Sequence, residues 1–228
     1  MLFKDEHDAS LLTKTFFMAT IIVASLLAGY LIFADLNDIV PQLKPYAING
    51  DFSRQVILMS CLVIYILRLL ITVFVFLKRK MTWSETLIIS GLMSFALFSF
   101  ARVGGSSNLP LNLLDYLGLL LFLVGSWINT YSEYTRYIWK KDVTNKGKLY
   151  TEGLFKYSMH INYFGDIVLF IGFALITQSQ SLLVVPLIMA LNFVFFIIPR
   201  LDKYLAEKYG EEFVAYASKT KKFIPGIY

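Results

Sequence analysis

The chain has 228 residues, of which 57% are hydrophobic and only 16% charged, well below the roughly 25% of charged residues in a soluble domain. This balance excludes an ordinary globular domain and indicates a polytopic membrane protein. The single cysteine, Cys61, excludes an internal disulfide framework; two histidines far apart, His7 and His160, give no metal motif; and a net charge of +5 in such a chain reports topology rather than nucleic-acid binding.

The N-terminal tail "MLFKDEHDASLLTK" carries Asp5, Glu6 and Asp8 ahead of the first apolar run, which makes a poor signal-peptide n-region. Six apolar stretches follow, at about 15–35, 55–77, 83–101, 111–132, 160–177 and 181–199. No alternating strand pattern interrupts them, and lipid demands internally satisfied backbones, so an all-α bundle of about six transmembrane helices is expected. The fifth stretch spans only by including part of a polar motif. The link "TQSQS" is short enough to force the last two spans into an antiparallel hairpin, and Pro186 and Pro199 should kink or end the sixth. The close, "RLDKYLAEKYGEEFVAYASKTKKFIPGIY", reads as an amphipathic surface helix with a basic end. Residues 1–228 are expected to form a single membrane domain, with no repeat and no soluble second unit among them.

Of the 21 Lys and Arg residues, 17 fall in the N-terminal tail, in "KRK" at 78–80, in residues 133–159 and in residues 200–228. Only Lys44, Arg54 and Arg102 fall on the other side, so both termini are expected in the cytoplasm of a multi-pass cell-membrane protein. Arg68 remains, in mid-span in "IYILRLLITVF", with Tyr65 three residues before it on the same helical face. Asn129 and Glu133 are four apart in "SWINTYSEY", and Asn162 and Asp166 are four apart in "YSMHINYFGD". Both pairs fall at the same membrane face, beside a loop supplying Arg136, Lys140, Lys141, Lys146 and Lys148. Ionisable groups in a span are costly unless they face a cavity or a partner. Carboxylates accept from hydroxyls and cations take phosphates, so this mouth suits a ligand with ribose, amide and phosphate groups. The bland alternative is helix–helix glue in a non-enzymatic scaffold.

"GLFKYSMHINYFGD", together with "LAEKYGEEFVAYASKTKKFIPGIY", resembles the superfamily of steroid 5-alpha-reductases, sterol reductases and isoprenylcysteine carboxyl methyltransferases. The likeness covers about residues 118–228, and more weakly the second span. It looks closest to bacterial 5-alpha-reductase-like membrane proteins of unassigned substrate. Gly153, Leu154, Phe155, Tyr157, His160, Asn162, Tyr163, Gly165 and Asp166 keep the family pattern, whereas Met159 and Ile161 stand where Arg and Pro are usual. The resemblance implies NADPH held by Asn129, Glu133, Asn162 and Asp166, with Lys140, His160, Tyr163 and Tyr209 completing residues 118–228 as the cofactor-binding half. Tyr65 and Arg68 match an early Tyr-x-x-Arg of the steroid reductases, where the Tyr lies at the substrate carbonyl and the Arg near the cofactor. Their partner acid has only Asp35 and Glu85 as weak counterparts.

The expected activity is therefore an NADPH-dependent reduction of a lipophilic small molecule, an enone or a sterol- or isoprenoid-like alkene, inside the lipid bilayer, with Tyr65 and Arg68 as the catalytic pair. The alternative implied by the same resemblance is an S-adenosylmethionine-dependent methyltransferase of the isoprenylcysteine type, with His160 near the cofactor.

Overall fold

The computed structural model describes residues 9–33 and 50–228. Among these the chain is an all-α membrane bundle with no strand. The helices are α1 (Leu11–Phe33), α2 (Phe52–Ile71), α3 (Trp83–Gly105), α4 (Leu113–Lys141), α5 (Ile161–Ile176), α6 (Val184–Asn192), α7 (Ile198–Tyr209) and α8 (Glu211–Ala217). Five segments are long and apolar enough to cross a membrane: α1, α2 with its extension to Phe76, α3, α4, and the run Gln180–Tyr209.

The fifth expected span is the exception. α5 has 16 residues, about 24 Å of helix against a hydrocarbon core of roughly 30 Å. The reason is its position. Leu169, Phe170, Phe173, Ala174 and Ile176 of α5 lie in the main core with Phe17, Leu58, Tyr65, Phe100 and Phe122. A helix sheathed by its neighbours need not match the bilayer.

α4 and α5 approach backbone to backbone through glycines seven apart on each. A Cβ on Gly125 would meet Leu169 N at 2.4 Å and Gly165 O at 2.5 Å; one on Gly172 would meet Phe122 N at 2.4 Å and Gly118 O at 2.5 Å. Small residues permit this contact where lipid gives helices no hydrophobic reason to associate.

The last span is segmented. A 3₁₀ turn (Gln180–Leu183) leads into α6, a π-turn (Phe193–Ile197) follows, and Pro199 sits in the first turn of α7. Proline removes one ladder bond and crowds the carbonyl four residues back, and the π-turn accommodates that. The amphipathic close is two helices rather than one. α7 continues the span, Gly210 breaks it at φ +53°, and seven-residue α8 turns away. Residues 218–228 then run back over the start of α5: Met159 N and His160 N donate to the carbonyls of Lys221 and Lys222 at 2.8 and 3.1 Å, and Ser158 Oγ donates to Phe223 O at 2.7 Å. Tyr216 OH donates to Phe155 O at 2.6 Å, and burial pushes its phenol pKa up.

Each end of the bundle has a buried arginine from α2. At the end where α2 begins, Asp51 caps it by accepting from Arg54 N at 2.8 Å. Arg54 is fully buried there and pairs with equally buried Asp115, Nε to Oδ1, at 3.0 Å. Arg54 lies inside the helix, not in a loop. At the other end, Lys14 Nζ donates to Leu77 O at 2.7 Å and Thr82 caps α3 by accepting from Glu85 N at 3.3 Å.

Candidate functional site

α2, α4 and α5 place Tyr65, Arg68, Asn129, Glu133, Asn162 and Asp166 at the end of the bundle opposite Arg54. Arg68 Nη2 lies 2.9 Å from Asp166 Oδ1, with Arg68 8% and Asp166 21% exposed. The contact is an ion pair off the line of a hydrogen bond. The Arg68 guanidinium also stands 5.1 Å from the centroid of the Tyr65 ring. Tyr65 is 3% exposed, packs edge-on against Phe170 at 5.6 Å, and its phenol is within electrostatic reach of both Arg68 and Asp166. The acid facing the Tyr-x-x-Arg pair is thus Asp166. Glu85 is taken by Arg79, whose Nη1 donates to Oε2 at 2.8 Å, and Asp35 lies outside the described residues.

The four polar residues assigned to α4 and α5 do come together. Asn162 Nδ2 donates to Glu133 Oε1 at 2.8 Å, and Asn129 Nδ2 donates to Asn162 O at 2.9 Å. Arg136 pairs with the second Glu133 oxygen. This register depends on Gly165, where a Cβ would stand 2.7 Å from Asn129 N.

What distinguishes the site is what it leaves unpaired. The buried side-chain atoms without a hydrogen-bond partner among the described residues are Arg68 Nε and Nη1, Ser126 Oγ, Asn129 Oδ1, Asp166 Oδ1 and, elsewhere, Ser94 Oγ. All but the last belong to α2, α4 and α5, and Ser126 is one turn from Asn129. Asp166 Oδ1 has Arg68 as its ion-pair partner; for the others, buried polar atoms are normally paired, so such a concentration favours a further partner. The backbone is irregular here too. α2 passes into a π-turn (Thr72–Phe76), and Thr72 Oγ1 donates to Arg68 O at 3.1 Å. Single π-turns recur at functional sites.

The remaining expected residues are placed around this centre. Tyr163 lies within electrostatic reach of Glu133, Arg136, Arg79 and Asp166, and its ring stacks between His160 (5.7 Å) and Phe193 (4.8 Å). Lys140 Nζ donates to Tyr209 OH at 3.1 Å, joining α4 to α7. His160, 2% exposed, is 2.8 Å from Asp202 Oδ1 through Nε2, and Lys222 Nζ lies 3.3 Å from the other Asp202 oxygen. Asp202 and Ser126 escaped the sequence reading. Asp202 sits among surface charges in "RLDKYL", and a serine in an apolar helix carries no signal of its own. An open cleft of about 410 Å³ beside Asp202, reached by Met159, Phe213 and Thr220, lies apart from Arg68. Among the described residues no group of three or more His, Cys, Asp or Glu side chains is arranged to hold a metal.

Fold and site together define a polytopic, all-helical membrane protein with an incompletely paired polar centre between its helices. The chain belongs to the family described as "Protein of unknown function (DUF1295)", whose model matches residues 81–220. The match includes Asn129, Glu133, Asn162 and Asp166 and begins after Tyr65 and Arg68. No curated protein matches the chain.

Proposed function

We propose that the protein is an integral-membrane, NADPH-dependent reductase of a lipophilic enone or a sterol- or isoprenoid-like alkene. The observation that carries this reading is Arg68. Its guanidinium is buried, answered by Asp166 at one nitrogen, and bare at Nε and Nη1. A lone structural role would leave two buried donors unsatisfied. A ligand with acceptor oxygens would complete it, and one with amide or hydroxyl donors would satisfy Asn129 Oδ1.

The residues present fit NADPH in that sense. Arg68, Asn129, Glu133, Asn162, Tyr163 and Asp166 would line its site, with Lys140 and Tyr209 at the outer edge. Bound there, NADPH would supply a hydride to an electrophilic carbon. Tyr65 hydrogen-bonds or protonates the substrate oxygen, and Arg68 beside its ring stabilises negative charge developing there. The packing around Tyr65 keeps water out. His160, occupied by Asp202 and stacked on Tyr163, positions the start of α5 rather than touching the cofactor. The basic asymmetry supports an orientation with this end and both termini in the cytoplasm of the cell membrane, where NADPH is available.

The test is NADPH oxidation by detergent-purified protein over a panel of lipophilic enones. Tyr65→Phe should lower turnover by about 10²–10⁴ while nucleotide binding survives. A Tyr65→Phe variant that turns over at the wild-type rate would leave Tyr65 as packing alone.

A further inference from the structure

Beyond the Arg68 site, three features converge at the ends of α2 and α4. Lys78 Nζ, just after the π-turn, stands 5.3 Å from the centroid of the Tyr137 ring. Lys141 Nζ, from the last turn of α4, stands 4.4 Å from the same centroid. Phe76 packs on that ring at 5.6 Å and holds it in place. Two ammoniums on one ring lie within about 10 Å of each other, a distance at which salt screens them only in part. The ring quadrupole attracts each of them and does nothing to relieve their mutual repulsion. Among the described residues neither lysine pairs with a carboxylate. The adjacent Asp142 is committed to its own turn, accepting from Thr144 N at 2.9 Å and Thr144 Oγ1 at 2.8 Å. The geometry therefore preorganises two exposed cations and omits their anion.

We infer that Lys78, Tyr137 and Lys141 form a site for the phosphate of an anionic phospholipid headgroup. What selects a lipid over a free phosphate is the surface leading away from the cations. Tyr134, Tyr137, Ile138 and Lys141 are spaced three, one and three residues apart, one stripe of α4. Tyr134 and Ile138 are exposed, as are Phe74 and Val75 on the facing π-turn. An acyl chain below the headgroup would lie along this apolar stripe, in the interfacial zone where Lys and Tyr are favoured. Lys140, one residue earlier, points instead to Tyr209. The lipid site is thus separate from the proposed cofactor site and does not depend on it.

The test uses detergent-purified full-length protein titrated with phosphatidylglycerol, phosphatidylcholine or inorganic phosphate, read by melting midpoint and by bound lipid in native mass spectrometry. Phosphatidylglycerol should bind and raise the midpoint; phosphatidylcholine and inorganic phosphate should not. Lys78→Gln/Lys141→Gln should weaken phosphatidylglycerol binding by about ten- to thirtyfold, and each single variant by less. Lys219→Gln/Lys221→Gln, which removes the same charge from exposed positions, should bind as wild type does. Undiminished binding by the double variant and by both single variants would overturn the inference. So would an equal loss in the Lys219/Lys221 control, or full reproduction of the effect by inorganic phosphate.

Discussion

α2 carries two buried arginines about 21 Å of helix apart, and the contrast between them separates scaffold from site. Arg54 spends every nitrogen. Besides Asp115 it donates to Ile176 O at 3.1 Å, Leu109 O at 2.7 Å and Ser107 Oγ at 3.1 Å. Asp115 in turn accepts from Asn112 N at 2.8 Å and Gln178 Nε2 at 2.5 Å. Arg68 has one carboxylate, one aromatic face and two bare nitrogens. A buried charge whose bonds are all made closes a fold. One whose bonds are left open keeps donors for a further partner, and the two lie on the same helix.

The comparison breaks most sharply at Asp115. Asp115→Ala strands Arg54 in a dry pocket, a loss of about 3–5 kcal/mol, and little folded protein should be recovered by size-exclusion chromatography. The glycine seam comes next. Gly118→Ala and Gly165→Ala should each lower the melting midpoint through overpacking of about 1–3 kcal/mol, yet only Gly165→Ala, against Asn129 N, should also abolish stabilisation by NADPH. Asp166→Ala should cost less than Asp115→Ala, because Asp166 is partly exposed and Arg68 is already incompletely paired. Arg68→Leu/Asp166→Leu should then recover wild-type stability or exceed it, as apolar replacement of a buried pair often does, whereas Arg54→Leu/Asp115→Leu should not, since it takes a partner from five further polar groups. The smallest effect belongs to the exposed pair of Lys203 and Glu207, 3.9 Å apart: Lys203→Ala should shift stability by under about 0.5 kcal/mol, and a larger shift would mean surface charge matters more here than burial.

Much of the fold was legible because lipid enforces it. Apolar runs located α1, α2 with its extension, and α3 to within about four residues and the starts of α4 and the last span as closely, but both of these run nine or ten residues further than their apolar stretch; the Pro199 irregularity was visible too. The shortness of the fifth stretch was visible in its polar start, but its enclosure by the other helices was not, because a helix walled by protein is as apolar as one bathed in lipid. Nor was the glycine seam, whose seven-residue spacing acquires meaning only when Gly118 and Gly125 face Gly172 and Gly165 across a contact. In the site, the spacings of Asn129 with Glu133 and Asn162 with Asp166 gave the right faces. That Asp166 answers Arg68 is a contact between residues 98 apart in sequence, beyond what local spacing shows, and Arg54 lies within α2 rather than among the loop charges.

The most direct measurement is the melting midpoint of wild type and of Arg68→Leu/Asp166→Leu, each with NADPH and, in parallel, with S-adenosylmethionine. Ligand at a hundred times its dissociation constant stabilises the native state by about 2.7 kcal/mol. NADPH should raise the wild-type midpoint, the folded double variant should stay flat, and S-adenosylmethionine should move neither. A wild-type protein indifferent to NADPH, a double variant that shifts as much as wild type, or a shift with S-adenosylmethionine instead would contradict the assignment of this centre to a reductase.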